Sequence, residues 1–227
     1  MQGFAELFAQ FDVLSAVRMT LLLSVLSMIG SLILGIIVAV MRVSPIGVFQ
    51  RFAAGWVSLW LNIPLTLIAF FCFFALFLLM GVKLLPDSAT NAQHAVAWGV
   101  VAMSIYHSTF VAEAIRSGIN TVPLGQAEAA RAIGLTFGQS LREVILPQAM
   151  RGAIAPLGNA AIALTKNTTV LATLSVAEMS NMMSYMLDQR IDLITQIFAL
   201  MAGIFVLMTL PMGIFFTWWS KKMAVAR

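Results

Sequence analysis

Five times along this chain apolar residues accumulate for about 20 positions or more, and short polar stretches separate the runs. They cover residues 19–41, 54–82, 95–115, 152–174 and 193–219. A helix of about 20 apolar residues crosses the hydrocarbon core of a bilayer. Only helices and closed barrels satisfy their backbone polar groups there, and these runs are too long and continuous for barrel strands. The pattern predicts an all-α polytopic membrane protein of about five transmembrane helices, one domain over residues 1–227, with no internal repeat. Pro64 lies inside the second run, Lys166 and Asn167 interrupt the fourth, and Trp218, Trp219, Lys221 and Lys222 close the fifth. Paired Trp followed by paired Lys is an interfacial anchor.

A polar island, residues 121–158, separates the third and fourth runs and carries Glu128, Arg131, Arg142 and Glu143. Its local signals predict two short helices. Pro123 suits a first helical turn, where its missing N–H is not needed. The QAEAARA segment is strongly helix-forming, and Gly134 marks a C-terminal stop. Thr136 with Gln139 forms a capping box that starts the second helix, which Pro147 should end or kink after Leu146. Leu135, Phe137, Leu141, Val144 and Ile145 give that helix an apolar face. The island reads either as a solvated loop or as a docking element for a partner's groove.

Composition narrows the class. With 61% hydrophobic and 10% charged residues and a mean hydropathy of +0.96, the chain is not a soluble domain. The net charge of +4 does not mark a nucleic-acid binder, because the basic residues fall at the ends of apolar runs. Nine of them (Arg42, Arg51, Arg116, Arg131, Arg142, Arg151, Lys221, Lys222, Arg227) lie on one side of the expected topology. Only Arg18, Lys83, Lys166 and Arg190 lie elsewhere. That asymmetry predicts a cytoplasmic island and C-terminus and an external N-terminus. The N-terminal stretch has Glu6 and Asp12 and no early Lys or Arg, the wrong sign for a cleaved signal peptide. Cys72, the single cysteine, reads as a small buried hydrophobe.

Polar groups within the apolar runs are the candidate chemistry, because ionisable residues at membrane depth cost about 2.5–3.5 kcal/mol on insertion scales. Lys166, Asn167 and Thr168 interrupt a span where a broken helix would line a cavity, although Lys166 at a span end also suits snorkelling to the interface. Asn62 and Thr66, beside Pro64, and Tyr106 are further candidates for a substrate path. Glu113 and Arg116, three apart, share a helical face and predict a structural or gating ion pair. His107 reads as a packing residue. No phosphate-cradling Gly-rich loop, nucleophile elbow or metal-ligand cluster is present, so the chain is expected to be non-catalytic and to bind no metal.

Several of these residues together resemble a known family. Glu128-Ala129-Ala130, then Gly134, Phe137, Ile145 and Leu146-Pro147, are similar to the EAA loop of type I ATP-binding-cassette importer permeases. Tyr106, Ala112-Glu113, Arg116, Gly118-Ile119, Gly125-Gln126, Pro156-Leu157-Gly158-Asn159 and Lys166-Asn167-Thr168-Thr169 resemble its polar amino-acid branch (histidine, glutamine, glutamate). Within the branch, STFVAEAIRSGINTV and ALTKNTT look most like actinobacterial glutamate permease subunits. The resemblance implies a bacterial plasma-membrane subunit moving a polar amino acid inward by alternating access. It assigns coupling to Gly125, Glu128, Ala129, Ala130, Gly134, Phe137, Leu146 and Pro147, in a coupling helix within residues 121–150. The implied partners are a second permease, two cytoplasmic ATPases carrying ATP and Mg2+, a substrate-binding protein and membrane lipid. One departure stands out. Leu61-Asn62-Ile63-Pro64-Leu65-Thr66 occupies the place where this branch usually has an Arg before its Thr-Pro, which implies an altered half-site in an unlike pair. Two other classes stay open: an ion-coupled secondary transporter, which needs a carboxylate at mid-depth, and a scaffold subunit with no transport role.

Overall fold

A computed structural model describes residues 2–223. Met1 and residues 224–227, with the Arg227 counted above, lie outside the described residues. Ten α-helices follow in chain order: α1 (Gln2–Gln10), α2 (Val13–Val43), α3 (Gly47–Asn62), α4 (Leu65–Phe70), α5 (Asn91–Ile119), α6 (Leu124–Ala132), α7 (Phe137–Gln139), α8 (Leu146–Asn167), α9 (Met179–Gln189) and α10 (Ile194–Met223). Wider π-helical winding continues α4 through Phe71–Leu79 and joins α7 to α8 through Ser140–Ile145. A tighter 3-10 stretch, Thr168–Leu174, extends α8.

Among the described residues three single helices are long and apolar enough to cross a membrane: α2, α5 and Ile191–Met223. The count reaches five only when two bent pairs are each taken as one span. The second apolar run is therefore not the uniform span expected from residues 54–82. α3 and the Leu65–Leu79 segment meet at an angle of 100°. The cause is local. A residue before proline is pushed out of the helical region, and Ile63 is extended at φ −94°, ψ 128°, so α3 stops at Asn62. The helical stretch Phe137–Leu174 likewise bends by 55° into α9, past Ser175, whose left-handed φ is 58°. The buried Glu178 caps α9, its carboxylate accepting the Asn181 N–H at 2.9 Å. The continuity of Phe137–Leu174 decides one of the two outcomes expected at Pro147: the island's second helix does not end there. The Leu146 N–H reaches back to the Leu141 carbonyl, an i→i−5 bond, and this wide turn accommodates a residue that has no N–H of its own.

The centre of the fold is α5, packed between α2 and α8. Lipid supplies no hydrophobic drive between helices, so close approach of small residues supplies the contact. Ser104 of α5 donates to the Ser27 carbonyl and Ser31 to the Ser104 carbonyl, each at 3.4 Å, across the α2–α5 seam. At the α5–α8 crossing, a Cβ on Gly118 would collide with the Ala149 carbonyl oxygen, so only glycine fits.

α1 and α9 lie outside the five apolar runs. Their apolar faces meet: Leu7 and Phe11 join Met179, Met186, Ile197 and Met201 in one cluster. Arg190 fastens the group by ion pairs to Glu6 at 2.8 Å and Asp192 at 2.9 Å.

Candidate functional site

The island folds as its caps dictate. Pro123 precedes α6, and Gly134 takes φ 85° after it. The Gly134 N–H reaches the Arg131 carbonyl at 3.0 Å and the Leu135 N–H reaches Ala130 at 3.1 Å, the paired bonds of a Schellman stop. Thr136 and Gln139 exchange side-chain and backbone bonds as a capping box. Ala130 is buried against the following stretch, whereas Gly125, Glu128 and Ala129 face outward. Two large apolar side chains at the ends of α6 stand in the open: Leu124 is 83% exposed and Ile133 78%. Phe137 is also exposed, and Leu146 and Pro147 lie in the uninterrupted path from the island to α8. An isolated exposed apolar side chain is ordinary. Here two of them bracket a nine-residue helix that buries only Ala130.

The expected Glu113–Arg116 pair forms, with Arg116 Nε donating to Glu113 Oε2 at 2.8 Å. Sequence reasoning missed the third member. Arg42, 71 positions earlier at the end of α2, donates to Glu113 Oε1 at 2.6 Å. One carboxylate thus ties the ends of α2 and α5 together. Pairs this exposed contribute only about 0–1 kcal/mol each, so the triad fixes geometry more than stability. Glu113 also borders a cavity of about 570 Å³ formed with Leu61, Thr109, Phe110, Ser117, Pro156 and Asn159. Leu61, the departure noted in the sequence, is therefore part of its wall.

The other sequence candidates separate into two places. Tyr106, one turn beyond Phe110, stacks edge-on against His107. The Asn167 amide donates to His107 Nε2 at 3.2 Å, joining α5 to the end of α8. His107 is therefore a packing residue with a specific partner. Thr168 is buried with its hydroxyl on the Thr165 carbonyl, and Lys166 is exposed. Asn62 and Thr66 stay apart at the Pro64 break, the Asn62 amide bonded to the Ser58 carbonyl at 2.6 Å. Among the described residues no group of three His, Cys, Asp or Glu side chains is placed to share a metal ion.

With this geometry in view, likeness to known proteins is informative. The sequence profile described as binding-protein-dependent transport system inner membrane component matches residues 31–225. A glutamate transport system permease protein of Corynebacterium efficiens is 43% identical over 218 residues, covering 95% of this chain and 96% of that one. A probable glutamine ABC transporter permease protein of Bacillus subtilis is 34% identical over 204 residues, covering 90% and 89%. The fold matches a crystal structure of an amino acid ABC transporter with histidines at TM-score 0.79 and 26% identity, over 92% of this chain and 93% of that one. It matches an inward-facing methionine ABC transporter at TM-score 0.76 and 17% identity, over 93% and 96%, a likeness of fold alone.

Proposed function

The chain belongs to the binding-protein-dependent transport system inner membrane component family, and we propose that it is the permease of an amino-acid importer whose substrate is glutamate. The naming of its Corynebacterium relatives supports that substrate. The observation that carries the coupling role is α6, an exposed helix ending in Leu124 and Ile133 at one end of the bundle. A partner's groove would bury both side chains and meet Glu128 between them. The partner is an ATPase, two copies for a pair of permeases, and it supplies the ATP and Mg2+ chemistry that this chain's sequence lacks. A substrate-binding protein delivers the amino acid from the opposite side.

The island and the C-terminus are cytoplasmic in this reading, as the distribution of Lys and Arg supports. ATP-driven closure of the partner pushes α6, and the uninterrupted Phe137–Leu174 helix carries the displacement into the membrane. The cavity beside Glu113, with Tyr106, Asn167 and Lys166 beyond it, is part of the substrate path. Leu61 in its wall makes this half apolar at that point, consistent with a second, unlike permease. Glu113 is the carboxylate an ion-coupled carrier would use, and two guanidinium groups already hold it, which speaks against that class.

Replacing Leu124 and Ile133 together by Asp tests the reading, because both are exposed and the fold does not need them. Co-purification of the ATPase and uptake of radiolabelled glutamate should each fall about tenfold or more, with membrane insertion unchanged. Full uptake in that variant would refute docking through α6. Competition by excess unlabelled glutamate, glutamine and arginine reads the substrate directly.

A further inference from the structure

A cleft of about 320 Å³ lies between the start of α8 and the end of α10. Its α8 wall runs from Pro147 to Leu157, and its α10 wall from Phe216 to Met223. The walls are apolar except for Arg151, which is exposed and makes no ion pair among the described residues. Gly158 seats Phe216 against α8 just beyond Leu157, at the end of the cleft away from Pro147.

Charge and depth decide what fits. Neither α8 nor α10 contains an acidic residue. Lys221 and Lys222 follow at the α10 end, and the Lys222 ammonium lies 5.1 Å from the Trp218 ring centroid. The nearest acid in sequence, Glu143, already faces Arg142 at 3.5 Å. Paired Trp with flanking Lys marks headgroup depth, so the apolar walls extend from that depth into the acyl region, with Arg151 as their one cation. A second copy packed on this cleft through a twofold axis would bring its own Arg151 toward this one. An anionic lipid brings the complementary charge and an acyl chain for the walls.

We propose that this cleft binds one anionic phospholipid, its headgroup on Arg151 and an acyl chain along Ile154 and Trp219. The inference rests on membrane placement and not on the substrate or the ATPase. Because Pro147 opens the cleft at the root of the island, the lipid sits at the joint between island and membrane.

The test uses the assembled importer in nanodiscs with equal amounts of phosphatidylglycerol and phosphatidylcholine, followed by native mass spectrometry of the lipids retained after detergent extraction. The wild-type complex should keep phosphatidylglycerol in preference to phosphatidylcholine. Arg151→Gln should reduce that preference about fivefold. Met150→Trp, which fills the cleft from a position that is already exposed, should abolish retention. Equal retention of both lipids by the wild type, or unchanged preference in both variants, overturns the proposal. So does efficient disulfide cross-linking of Met150→Cys to a neighbouring permease, which would mean that protein covers the cleft.

Discussion

Pro64 and Pro147 each follow an apolar residue at the edge of a long helical segment, yet the chain turns through 100° at the first and stays helical through the second. The difference lies in the residues ahead of each. At Pro64 the preceding Ile63 is extended and the helix stops, so α4 restarts in a new direction. At Pro147 the preceding turns are wound more loosely, with i→i−5 bonding, and the helix passes the proline at the start of α8. A proline therefore dictates what its own N–H cannot do, and the neighbouring winding decides whether the axis breaks. The two outcomes also separate two geometries: a corner at Asn62–Leu65 and a continuous rod from the island into the membrane.

That contrast can be attacked from both sides. Softening the rod should cost most. Ile145→Gly together with Gln148→Gly removes roughly 1 kcal/mol of helix preference and should lower uptake about tenfold or more. ATPase co-purification should stay intact, because α6 is untouched; loss of both together would mean that the island had simply unfolded. Pro64→Ala is next. Spin labels at Ser58 and Leu78, both exposed, should move apart toward the roughly 30 Å of a straight helix. An unchanged distance would assign the corner to tertiary packing of Phe73 and Phe77 instead of to the proline. Pro147→Ala should do least, shifting stability by under about 1 kcal/mol, since the wide turn before it already satisfies the backbone. A large loss of stability there would show that proline itself holds the loose winding in place.

Sequence made some of this plain and hid the rest for physical reasons. Caps and stops are local, and Pro123, Gly134, Thr136 and Gln139 sit where their chemistry requires. Glu113 and Arg116 are three apart on a helix, so their pairing was visible. Arg42 was not, because no periodicity links positions 71 apart. The same holds for His107 with Asn167. α1 and α9 escaped because each is short and half polar, and its apolar face gains meaning only against the other and α10. Pro64 and Pro147 looked alike because a residue's own conformational limits do not reveal the winding around it.

The α5–α8 crossing carries one more consequence, in the language of codons. Every amino acid other than glycine has a Cβ, and at Gly118 that atom has nowhere to go but into the Ala149 carbonyl. All missense changes of that codon therefore add the same offending atom, whatever else they add. Random mutagenesis scored on growth with the transported amino acid should return no functional missense allele at position 118, while the glycines at 55 and 203, with open space around them, should accept uncharged residues.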